Sequence, residues 1–233
     1  MPDPANALAF YVVFLFSTTL HEAAHAWAAK LGGDLTAYHG GQVTLDPRPH
    51  IKREPFGMVI LPLLSVFLSG WPFGFASAPY DRAWAVNHPK RAAWMAIAGP
   101  GANLLLVLVS VLCIRLGVAS GVFHAPQSVG FSRVVATEAS GAWPAAAFVL
   151  SVFFSLNLVL AALNILPLPP LDGSAAIMLF MDARTAPRYQ QFLWGNPMLQ
   201  WVGMLIAWQV FGVVFSPVFL FAVNLVYPGL HYG

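Results

Sequence analysis

FSTTLHEAAHAWAAKLGG, residues 16–33, sets two histidines and a glutamate inside a run otherwise fit for lipid. His21 and His25 are four positions apart, which on a helix is one turn along and about 40° around. At that spacing both imidazoles can grip one zinc ion, with Glu22 beside them as a general base. Ionisable side chains inside an apolar span are costly and mark functional sites. The stretch therefore asks for a membrane helix that carries chemistry.

Composition supports the membrane reading. Of 233 residues, 58% are hydrophobic and 9% charged, with mean hydropathy +0.70. Soluble domains carry about 25% charged residues. The net charge of +2 offers no basic surface for nucleic acid. The single cysteine, Cys113, cannot form an intrachain disulfide. The opening MPDPANALAF lacks the basic segment of a cleaved signal peptide, so the first apolar run is expected to stay.

The expected fold is an all-α polytopic membrane protein. Its core, residues 1–182, has spans at about 7–30, 91–116 and 144–168, with a re-entrant, partly β region at about 34–80. Within that region Gly41–Asp46 alternates like a short strand, and 56–71 is apolar but short, broken by Pro62 and Gly70. Residues 183–233 form a connector and a C-terminal transmembrane helix, kinked at Pro217. The loop 117–142 is too short for a folded domain. Lys30, Arg48, Lys52, Arg53, Arg82, Lys90 and Arg91 share one face if 56–71 is re-entrant, against Arg115 and Arg133 opposite. The positive-inside rule then puts the N-terminus outside the cytoplasmic membrane.

Two histidines are too few for a catalytic zinc, which takes three protein ligands and a water. Among nine acids, Asp172 stands out because it follows LNILPLPPL and precedes an apolar helix. It can cap that helix, ligate a metal, or do both. Asn103, in AGPGAN, and Asn164, before the proline break, are amides inside spans that packing does not explain. At about 1.5 Å per residue, His21 lies about 22 Å and Asn164 about 25 Å from the outer face, and Gly99–Asn103 about 12–18 Å from the inner one. These depths converge on the cytoplasmic half of the bilayer.

HEAAH, GPGAN and NILPLPPLDG, in this order, resemble the site-2 protease family of intramembrane zinc metalloproteases, peptidase family M50. The resemblance covers about residues 7–182. It implies one zinc ion on His21, His25 and Asp172, with Glu22 activating water. It further implies that Asn103 places the substrate or its oxyanion and that Asn164 orders the site. Gly41 and Val43, on the strand, are expected substrate contacts, as is the GFASAP segment. The chain reads as a minimal member without PDZ or CBS domains. Expected partners are a transmembrane protein substrate (an anti-sigma factor, a pro-sigma factor or a remnant signal peptide), a regulatory membrane protein and the lipid bilayer. The competing readings are a metal or proton transporter or channel, and a non-proteolytic relative that binds membrane proteins.

Overall fold

The computed structural model describes residues 3–233. Helix α1, Pro4–Leu31, starts under Asp3, whose carboxylate accepts the Ala5 amide, with Pro4 at its first position. Short helices follow: α2, Thr36–His39, and α3, Pro47–Arg53. A π turn at Phe56–Ile60 runs into α4, Leu61–Ser69, and α5 is Arg82–Asn87. Two long helices, α6 (Pro89–Ala119) and α7 (Trp143–Asn164), complete the core. Helix α8, Asp172–Ala176, continues as a 3-10 turn to Phe180. Helices α9, Thr185–Gly195, and α10, Met198–Val226, end the chain.

Four helices, α1, α6, α7 and α10, are long and apolar enough to cross a membrane. The chain is a multi-pass membrane protein of all-α class. Helix α6 packs along α1 and α7, and α1 also touches α7. The outward faces are apolar: Leu104, Leu108 and Leu112 of α6 are each half or more exposed. Such a stripe suits lipid, where the exclusion of water no longer drives helices together and close packing and hydrogen bonds must do so.

Three expectations need correction. Gly41–Asp46 is not a strand; among the described residues there is no sheet, only isolated bridges in the 120–142 loop. Local bonds take the segment instead. Gly41 turns with φ +72°, Gln42 donates its amide to Ala37, and Asp46 accepts the Arg48 amide to start α3 before Pro47. Span three ends at Asn164, short of 168, because Pro167, Pro169 and Pro170 lack amide donors and restrict the residues before them. Finally, Asp172 is the first residue of α8 and makes no capping bond, so its carboxylate is free for other work. The π and α4 segment, 56–69, comprises 14 residues and reaches about 21 Å, less than the hydrocarbon core.

Two devices set α8 against α6. A Cβ at Gly173 would strike the carbonyls of Ile165 and Leu166, so only glycine lets α8 nest on the preceding reversal. At the other end Lys90 donates to the carbonyls of Met178 (3.1 Å), Leu179 (2.5 Å) and Met181 (2.6 Å). A single ammonium thus gathers three carbonyls at the end of the helical segment that starts with Asp172. Lys90→Met is expected to cost about 1–2 kcal/mol and to lower Tm in detergent by about 2–6 °C, measured by thermal unfolding.

Candidate metal centre

The local fold aims three side chains at one point. His21 and His25 lie on one face of α1, their ring centroids 4.6 Å apart and nearly perpendicular. His21 Nδ1–H donates to Asn103 Oδ1 at 2.5 Å, and His25 Nδ1–H donates to the Met95 carbonyl at 2.7 Å. With both Nδ1 protons committed, each Nε2 presents its lone pair. The two Nε2 atoms are 3.0 Å apart, and Asp172 Oδ2 lies 3.1 Å from His21 Nε2 and 3.3 Å from His25 Nε2.

Three electron-pair donors facing one another this closely repel unless a cation sits between them. Ligands about 2.0–2.2 Å from a small tetrahedral ion such as zinc lie about 3.3–3.6 Å apart; the longest side of the observed triangle, 3.3 Å, reaches that range, and the other two, 3.0 and 3.1 Å, fall just short of it. The three residues are mostly buried. Gly99 supplies the room: a Cβ there would press on the Nε2 atoms of both histidines. Glu22, 5% exposed, keeps its Oε2 without a hydrogen-bond partner. An unpaired buried carboxylate oxygen calls for an explanation, and a water held beside a metal supplies one.

Behind the histidines a polar chain ties the core together. Asn103 Nδ2 donates to Asn157 Oδ1 (2.9 Å), and Asn157 Nδ2 donates to Ser17 Oγ (3.0 Å) and to the Phe153 carbonyl (2.8 Å). Asn103, Asn157 and Ser17 are fully buried. Asn103 therefore does not face a substrate or its oxyanion as expected; it holds His21. Asn157 was missed in the sequence, although an amide in the middle of an apolar span is the signal that picked out Asn103.

The site opens into a cavity of about 600 Å³. Residues 74–80 form one wall and α9 and α10 another. Asn164 lines this cavity and donates to the Leu160 carbonyl, touching no metal-ligating atom. Gly41 and Val43 do not line it, so the expected contacts from a strand there are not formed. The GFASAP wall is firmly tied. Phe75 N donates to the Gly57 carbonyl, Ser77 Oγ to Glu54 Oε1 (2.6 Å), and Arg53 Nε to the Ser77 carbonyl (3.0 Å). At its far end Asp81 N donates to Asp34 Oδ2 (2.9 Å). Burial pushes the Asp34 carboxyl up, but hydrogen bonds from Thr36 and Asp81 outweigh it and hold it below its ordinary value. Its stabilisation is present above about pH 4 and is lost as pH falls through the lowered pKa.

The model of peptidase family M50 matches residues 9–208. The chain belongs to that family. The match runs beyond 182 into α9 and α10, the elements that form the second cavity wall. A relative in Bacillus subtilis strain 168, named "Putative zinc metalloprotease YwhC", is 33% identical over 173 residues, which are 73% of this chain and 68% of the relative. Rip2 of Mycobacterium tuberculosis strain H37Rv, with the same description, is 32% identical over 70% of this chain and 54% of its own. Rip2 of Mycolicibacterium smegmatis is 28% identical over 83% of this chain and 62% of its own. The matches thus span between 54% and 68% of these relatives' own lengths. No solved structure matches.

Asn103→Leu removes the acceptor of the His21 Nδ1 proton and is expected to weaken divalent-metal binding about 10–100-fold. Asn164→Leu is expected to leave it within about twofold. Chelator competition with the purified protein checks both.

Proposed function

We propose that this chain is a zinc-dependent intramembrane endopeptidase that cuts transmembrane segments of membrane proteins. The observation that carries the reading is the triangle of His21 Nε2, His25 Nε2 and Asp172 Oδ2, beside a Glu22 carboxylate with one unpartnered oxygen. Family membership and the names of the relatives support it.

In this reading His21, His25 and Asp172 hold the ion, and Asn103 and the Met95 carbonyl keep the imidazoles in the right tautomer. Zinc held there supplies charge that polarises the scissile carbonyl and lowers the pKa of a bound water towards about 7. Glu22 accepts the proton of the attacking water on its free oxygen and returns it to the leaving amine. Asn164 acts at the cavity wall, away from the ligands. A helical substrate hides its carbonyls in its own hydrogen bonds, so the cut segment must unwind. The Gly74–Ala78 wall suits an unwound segment, because among the described residues the amides of Ala76 and Ala78 have no partner.

Orientation belongs to the same proposal. Arg91 donates to the Gly32 carbonyl (3.1 Å), so the basic ends of α1 and α6 meet. By the positive-inside rule that end faces the cytoplasm. Water then reaches the cavity from the cytoplasmic side, and residues 1–182 make up the catalytic core with 183–233 closing over it.

Glu22→Gln is expected to retain its metal and to lose cleavage of a single-span substrate in liposomes by about 10²–10⁴-fold. Metal content and fragment release are measured together. Full cleavage by a metal-loaded Glu22→Gln protein would show the reading to be wrong.

A further inference from the structure

Three cavity-lining side chains have buried polar atoms with no hydrogen-bond partner: Thr18 Oγ1, Glu22 Oε2 and Gln190 Oε1. Glu22 has a role in the chemistry, and Thr18 sits one turn before it on α1. Gln190 is different. It comes from α9, outside the three long core helices, and is 5% exposed. A glutamine that served packing alone would bury its amide against a partner, because an unmet buried acceptor is destabilising.

Its position is also held rather than loose. One residue earlier, Tyr189 Oη donates to the Ser174 carbonyl at 2.9 Å, which pins α9 to α8 two residues after Asp172. Four residues later, the Arg82 guanidinium lies 5.3 Å from the centre of the Trp194 ring, a cation–π contact. Gln190 thus lines the cavity between two anchors, on a wall that meets residues 74–80 at Tyr80, whose ring centre lies 6.4 Å from that of Trp194.

We propose that Gln190 is a substrate-binding residue whose side-chain amide pairs with one peptide group of the unwound segment, from the α9 wall of the cavity. The inference rests on the proteolytic reading above and names a specificity-determining contact within it. A carboxamide carries one acceptor and two donors, so it can meet both halves of a peptide group that a substrate helix gives up on unwinding. In lipid those groups have no water to turn to. A charged side chain at this place would fix the sign of the substrate, whereas an amide reads backbone irrespective of sequence. The chemistry recognised is therefore an extended, uncharged peptide backbone.

The test uses the full-length, metal-loaded protein in liposomes and a synthetic apolar single-span peptide of about 25 residues as probe. Gln190→Leu is expected to raise KM about tenfold, the value of one hydrogen bond. Its kcat should stay within about twofold, with metal content and Tm unchanged or Tm raised. Replacing probe amides one at a time by esters deletes single N–H donors. At one position the ester should raise the wild-type KM about tenfold and leave the Gln190→Leu KM unchanged, the non-additivity of a shared contact. Binding of the uncut probe to Glu22→Gln and to Glu22→Gln/Gln190→Leu separates the two claims. An uncleaved probe that still binds the first about tenfold better keeps the contact and removes proteolysis. Cleavage by the wild type with equal KM for Gln190→Leu removes the contact alone. Equal binding by the two proteins, including no measurable binding by either, additive ester effects at every position, or a lost Tm also overturn it.

Discussion

The bond from His21 Nδ1 to Asn103, continued through Asn157 to Ser17, is what the rest of the core is arranged around. It joins α1, α6 and α7 where lipid offers little reason for helices to associate. Each amide in it is fully buried, so a break anywhere would strand a polar group with no water nearby. The same chain that holds the bundle together fixes which nitrogen of His21 carries the proton. Fold stability and ligand readiness are thus one constraint rather than two, and close approach of α6 through Gly99 follows from it.

The third corner of the triangle needs a different solution, because Asp172 is carried on a short helix after a chain reversal. Five residues of α8 and a 3-10 turn have little helical stability of their own. Their position comes from outside: the proline-rich reversal sets the entry, Gly173 lets the helix sit on it, and Lys90 gathers its far carbonyls. Because Lys90 opens α6, the helix that also carries Asn103, one element places both the support of His21 and the partner that delivers Asp172.

Much of this was readable from residues alone. Long apolar runs give helices whatever their neighbours do, so the four spans came out within a few residues, except where prolines ended α7 early. His21, Glu22 and His25 were readable because charge and imidazole are conspicuous in an apolar stretch, and Asp172 because it interrupts one. Roles were harder. Asn103 and Asn164 look alike in sequence, yet one lies behind the histidines and the other lines the cavity, since only packing decides which face of a helix looks inward. The Gly41–Asp46 alternation failed as a strand because six residues with Asp-Pro at their end found local bonds before any partner strand. Gln190 was invisible for the opposite reason: in a polar connector a glutamine needs no explanation until its helix is folded over an apolar cavity.

The placement of α9 and α10 bears on how such a site can work at all. A hydrolytic centre in lipid has to admit water and a peptide while keeping its charges shielded. His21, His25 and Glu22 are at most 7% exposed, and the carboxylate of Asp172 is more open, at 22% of its side chain. The triangle is therefore most open on the Asp172 side, where α9 is tied to α8 through Tyr189 and Ser174. Helix α10 lines the cavity with Gln200 and Met204, and its Gly203 packs tightly against the Pro169 carbonyl, where a Cβ would clash. Its C-terminal half is anchored in the core, with Phe219, Val223 and Val226 packed among α6 and α7 and the Val226 carbonyl accepting from Arg115, while His21 and His25 are held from behind through Asn103 and the Met95 carbonyl. The half of α10 that lines the cavity is thus the sparsely packed one, with Met198, Trp201, Leu205 and Trp208 exposed, and the triangle depends on none of it.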